Sequence, residues 1–182
     1  MPLAVYILGL AIFSIGTAEL MVAGMTATLS HAFGISVGDV GHLISYYAFG
    51  VMLGGPVLTY FFLKYKVQYR KVLLILLALY VVIQGLSAFI SSYAILVVIR
   101  LVTGVLCAGC LSLSLAISMA MVPNHDRPQA AAIVIGGFMI STVSDVPLAT
   151  MIDQQWGWRI TFGLVAVLVF ICLIPLVRLL LR

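Results

Sequence analysis

The run from Tyr93 to Met121, YAILVVIRLVTGVLCAGCLSLSLAISMAM, is apolar throughout except for a few small polar residues and a single charge, Arg100. A helix needs about 20 consecutive, mostly apolar residues to cross a bilayer. The run exceeds that length, so it reads as a membrane-crossing helix with an arginine inside it. At about 1.5 Å of rise per residue, Arg100 lies roughly 10 Å below the surface at which the helix enters. A guanidinium at that depth costs about 3 kcal/mol on insertion scales and faces a bundle interior or a wet cavity. Some other part of the chain has to supply its partner.

The remainder of the chain is built the same way. It is 64% hydrophobic and 8% charged, with a mean hydropathy of +1.28, whereas soluble domains are about 45–50% apolar and about 25% charged. A polytopic all-α membrane protein is the class that fits. The net charge of +4 does not point to nucleic acid, because the basic residues are scattered through short loops without aromatic or glycine-rich context. They read as topology signals. Cys107, Cys110 and Cys172 all fall inside apolar runs, and Cys107-x-x-Cys110 there reads as small residues that let helices approach. His31, His42 and His125 lie far apart in loops or at interfaces, and no Ser/His/Asp set or metal-ligand spacing is present. The expectation is a protein that is not an enzyme and uses no cofactor and no metal.

Six crossings follow in order. The first is Leu3 to Met25, interrupted by Ser14, Thr17 and Glu19; no basic residue precedes it and no cleavage site follows, so it is expected to stay in the mature protein. Thr26 to Gly41 reads as a polar loop or short helix. The second crossing, His42 to Leu63, carries Gly50, Gly54, Gly55 and Pro56, a close-packing face rather than a nucleotide loop. Val72 to Ile90, Tyr93 to Met121, Ala130 to Ile152 and Ile160 to Arg182 complete the set, joined by loops too short for a separate domain. Lys64, Lys66, Arg70 and Lys71 crowd the second loop. Excess Lys and Arg mark the cytoplasmic side. Threading the spans in order puts those four with Arg127, Arg178 and Arg182 inside, Arg159 outside, and both termini in the cytoplasm.

Pro56-x-x-Thr59 in the second span answers Pro147-x-x-Thr150 in the fifth. Residues 1–91 and 92–182 would then be two three-helix units of opposite topology within a single six-helix domain, 1–182, and inverted three-helix repeats mark transporters. With that topology Glu19, Arg100 and Asp145 each fall roughly 10 Å below the outer face. The expectation is that the two carboxylates meet the one guanidinium. A buried ion group that merely staples helices stabilises poorly against apolar packing, so proton or cation coupling is the favoured role, with Glu19 the principal acid. Tyr46, Tyr47 and Phe49 fit ligand contacts less well than packing or interfacial anchoring.

Taken together, GTAELMVAG in the first span, GHLISYYAFGVMLGGPVLT in the second, RLVTG in the fourth, VPLAT in the fifth and GWRITF entering the sixth resemble the N-terminal half of a major facilitator superfamily transporter. The likeness is to the drug:proton antiporter branch and its AraJ-like efflux permeases. It implies a bacterial inner (plasma) membrane exporter, in which the arginine of R-x-x-x-G, here Arg100 before Gly104, takes part in proton transfer, and the acid of the first helix, here Glu19, helps to bind the proton. The basic residues of the second loop serve topology or a gate there, although the acidic residue usual in that loop is missing, and Asp145 stands where a glycine is usual. The family has twelve helices. The implied partners are therefore membrane lipid, protons, a small-molecule substrate such as a drug or sugar, and a second copy or a missing second half. The rival expectation is a truncated, non-transporting membrane protein that associates with a partner transporter.

Overall fold

A computed structural model describes residues 1–180; Arg182, read above as part of the basic end, lies outside the described residues. Eight α-helices follow one another: α1 (Leu3–Gly16), α2 (Met21–Gly24), α3 (Thr26–Phe33), α4 (Val37–Lys64), α5 (Tyr69–Ser87), α6 (Tyr93–Ala120), α7 (Arg127–Trp156) and α8 (Trp158–Leu180). Helices α4 to α8 are each long and apolar enough to cross a membrane. Their limits follow local chemistry. Ser36 and Asp39 form a reciprocal capping box at the start of α4, which satisfies two of the backbone donors that a helix start leaves free. Pro128 sits in the first turn of α7, where its missing N–H costs nothing. Gly34 and Gly157 end α3 and α7 at φ of 63° and 85°, a region that glycine enters without a Cβ penalty.

The segment expected to be the first crossing is not one continuous helix. It stops at Gly16 and restarts at Met21, and the stretch after it, expected as a polar loop or short helix, holds the short helix α3 and the start of α4. The helices pair as α1 with α7 and α4 with α6, while α5 packs against α6 and α8, and α8 against α1. Val5 meets Val122 and Ala130 at one end of the bundle, the end that also carries Arg70 and Lys71 beside Ala120 and Leu180. Thr28 meets Asp153, the Tyr93 hydroxyl donates to the Asp39 carbonyl, and Arg159 approaches Ser91 at the other end. Lys64, Lys66, Arg70, Lys71, Arg127 and Arg178 are therefore gathered at the end where the chain starts, and Arg159 stands at the far end.

The α4–α6 seam is built on glycine. A Cβ at Gly104 would overlap the Tyr47 carbonyl oxygen, one at Gly50 the Leu101 carbonyl oxygen, and one at Gly54 would come within 2.7 Å of the Val105 Cα. Gly55 has open space instead, because one position along a helix turns the side chain by about 100°; it is not part of the close-packing face. Pro56 and Pro147 are both exposed, so neither packs inside the bundle.

Candidate functional site: a helix break held by two buried charges

Where a helix is interrupted inside a membrane, every freed backbone group needs a partner within the protein. At the end of α1 the Phe13 carbonyl accepts from the Thr17 N–H (3.1 Å), Ile15 from the Ala18 N–H (3.1 Å) and Gly16 from the Glu19 N–H (2.9 Å). The Thr17 hydroxyl donates to Ser14 O at 2.7 Å, and the Tyr80 hydroxyl, from α5, donates to Ile15 O at 3.3 Å. Arg100 Nη1, from α6, donates to Ala18 O at 2.6 Å. On the other side of the gap the Leu20 N–H donates to Asp145 Oδ2, from α7, at 2.9 Å. Three helices thus cap one break, and Glu19 is the residue between the two that Arg100 and Asp145 hold.

The three charges expected to converge do reach one place, but not as an ion triad. Among the described residues the acid–base pairs within 4 Å are His42–Asp39 and His125–Asp126, both exposed, and Arg100 has no carboxylate at that distance. Its partner is a backbone carbonyl. The break leaves Ala18 O without a helical donor, and one N–H of the guanidinium satisfies that acceptor with a charge-assisted bond. Arg100 is 1% exposed and its Cζ lies 5.1 Å from the Phe162 ring centre and 5.7 Å from that of Tyr47, an arrangement in which the rings' electron-rich faces attract the cation. Its Nε and Nη2, Glu19 Oε2 and Asp145 Oδ1 are buried without a hydrogen-bond partner. Glu19 itself is half-buried.

A cavity of about 70 Å³ lies beside the break, lined by Thr17, Met21, Asp145 and Thr161 among others. Its surface is almost wholly apolar, with Asp145 at its edge. Helix α7 runs alongside the stretch from the break through α3 in register: Asp145 with Leu20, Thr150 with Gly24 and Asp153 with Thr28, pairs 125 or 126 residues apart. Gly16 is seated against Ser141, whose Oγ a Cβ there would overlap. Tyr47, expected to pack or anchor rather than to bind ligand, packs its ring against Arg100; the cap supplied by Tyr80 and the fully buried Gln84, whose amide atoms both lack partners, are not among the residues picked out above from the sequence. Their common signal is a polar group in mid-span, which has to end on something.

Lys64, Lys66, Arg70 and Lys71 are exposed around the α4–α5 turn, with Lys64 Nζ 5.5 Å and 5.8 Å from the Tyr60 and Tyr65 ring centres. They stand well away from the break, at the basic end.

The Major Facilitator Superfamily profile matches residues 8–182. The chain is 33% identical to AraJ of Escherichia coli (strain K12) over 160 residues, 88% of this chain and 40% of that protein. It is 32% identical to the chloramphenicol resistance protein of Streptomyces lividans over 175 residues, 96% of this chain and 43% of that protein. The inner membrane transport protein YdhP of Escherichia coli (strain K12) is 31% identical over 85% of this chain and 39% of its own length. A solved structure of the proton:xylose symporter XylE bound to 6-bromo-6-deoxy-D-glucose superposes with a TM-score of 0.72 at 19% identity, over 96% of this chain and 43% of that chain, and shares the fold. This all-helical membrane protein belongs to the major facilitator superfamily, a family of transporters. It spans about two fifths of the length of these relatives.

Proposed function

We propose that this chain is the N-terminal six-span half of a proton-coupled exporter of a small organic solute, a drug or a sugar, in a bacterial inner membrane. In this reading α1 and α2 together make the first crossing, both termini are cytoplasmic, and residues 1–91 and 92–182 are inverted three-helix units of one domain. The helix pairing supports the repeat: exchanging the units' first and second helices turns the α1–α7 pair into the α6–α4 pair. Gathering of the basic residues at one end supports the orientation. Among α4 to α8, α4 and α7 are the least buried, which leaves their outer faces for a second six-helix unit, either a second copy or a following half. Relatives named for chloramphenicol resistance and for inner-membrane transport support export, and a neighbour named as a proton symporter supports coupling.

The observation that carries the proposal is the break at Glu19. In many transporter folds the ends of discontinuous helices inside the membrane form binding sites. Glu19 takes up and releases the proton, Asp145 holds the Leu20 N–H on the far side of the break, and Arg100 reports the state of the acid to the bundle by letting go of Ala18 O or holding it. Glu19→Gln keeps the side chain's shape and removes the titratable group. In proteoliposomes with an imposed pH gradient, labelled chloramphenicol should accumulate with the wild-type protein and not with Glu19→Gln. Gradient-driven accumulation that is unchanged in the variant would rule out the role of Glu19.

A further inference from the structure

Helices α5 and α8 diverge from close contact at the far end of the bundle and leave a groove of about 650 Å³. Its floor is made by Gly85 and Ala88 of α5 and Gly163 and Ala166 of α8, and its walls by larger side chains such as Val81 and Phe170. A Cβ placed at Gly163 would meet nothing within 4 Å, and one at Gly85 would meet the Ala166 Cβ at 3.8 Å. The slot is therefore empty space and not a packed seam. Apolar walls with no atoms between them forfeit dispersion contacts until something fills the gap.

The length of the groove and the charge at its mouth define the occupant. From Ile160 to Phe170 the α8 wall rises about 15 Å, half of the roughly 30 Å hydrocarbon core. A partner helix would need a seam across the whole core, whereas an acyl chain occupies one leaflet. Arg159 borders the mouth. It is exposed, lies 4.9 Å over the Trp158 ring and has a 3.5 Å contact to Ser91 Oγ, with no carboxylate within 4 Å among the described residues. A tail-shaped apolar slot that ends at an unpaired guanidinium beside a tryptophan matches an amphiphile with an anionic head at the membrane interface.

We infer that the α5–α8 groove binds one phospholipid of the adjoining leaflet, its acyl chain lying over Gly163 and Ala166 and its phosphate on Arg159. The test is native mass spectrometry of the purified chain after incubation with equal amounts of phosphatidylglycerol and phosphatidylethanolamine in mild detergent. The wild type should retain one lipid per chain, phosphatidylglycerol in preference. Arg159→Gln should cut phosphatidylglycerol retention roughly five-fold, the weight of one basic side chain at an anionic surface. Gly163→Leu, whose Cβ would meet nothing within 4 Å, should remove retention of both lipids, and Gly163→Phe should repeat that result. Retention unchanged by Gly163→Leu and Gly163→Phe would overturn the assignment. So would a wild-type dimer that Gly163→Leu converts to monomer, which would make the groove a seat for a second helix.

Discussion

Arg100→Leu is expected to leave the bundle folded while it abolishes coupled transport. The stability terms oppose each other. Losing the charge-assisted bond to Ala18 O costs about 1.5–3 kcal/mol, and losing the cation from beside the Phe162 and Tyr47 rings costs up to about 2 kcal/mol. Against this, the variant removes a guanidinium whose burial costs about 3 kcal/mol and two nitrogens, Nε and Nη2, that have no partner. Ala18 O loses its donor, which the first of these terms counts, and the sum leaves a net loss of at most about 2 kcal/mol, so thermal unfolding followed by size-exclusion chromatography should shift by no more than a few degrees. Gradient-driven flux should fall to the level of empty liposomes. Arg100→Lys is expected to fail too, since a point-charge ammonium lacks the planar fork that can hold a carbonyl and keep further N–H groups for the acid beside it. An arginine that served as a staple alone would give the reverse pattern: unfolding in Arg100→Leu, and flux in proportion to whatever protein remained folded.

Gly104→Leu is expected to do the opposite, removing the fold without touching the break. The Cβ of any residue at 104 would overlap the Tyr47 carbonyl and stand 3.0 Å from the Val51 N. Both are backbone atoms in the middle of α4, so no side chain can rotate out of the way. Overpacking costs about 1–3 kcal/mol where neighbours can give; here α4 and α6 have to separate along the seam that joins the two proposed units, and the cost should exceed about 3 kcal/mol. The measurement is the monodisperse fraction after extraction into detergent, which should fall for Gly104→Leu and for Gly50→Leu. Gly55→Leu is the control: nothing lies within 4 Å of its Cβ position, so its fraction should match wild type.

These two variants also mark where the sequence was informative. The long apolar runs that became α4 to α8 were legible because length and hydropathy suffice to define a crossing. Gly50 and Gly54 were legible as a packing face because the G-x-x-x-G spacing puts two missing side chains on one side of a helix. Gly55 was grouped with them by adjacency alone, which helical geometry does not respect. The break after Gly16 was not legible. Ser14, Thr17 and Glu19 looked like polar interruptions of a helix, and what stops α1 is tertiary: Tyr80, Arg100 and Asp145 offer the freed backbone partners that only a folded bundle can bring together. For the same reason the depths of Glu19, Arg100 and Asp145 bring them to one level but point to a side-chain ion pair, where the structure has contacts from side chain to backbone. Counting charges cannot see a carbonyl. The register of α7 along the stretch from the break through α3, in steps of 125 or 126 residues, leaves no local trace in the sequence at all.

The central claim is that the carboxylate at the break of the first crossing is the group that exchanges protons with the surroundings. Infrared difference spectroscopy of the chain in lipid nanodiscs reads this directly, through the C=O stretch that a carboxyl group shows when it is protonated. As the pH is lowered, carboxyl bands should grow in the wild type from each of its five acidic side chains; one component should be lost in Glu19→Gln and persist in Asp145→Asn, whose amide oxygen still accepts the Leu20 N–H. A set of bands that titrates alike in wild type and Glu19→Gln would contradict the account.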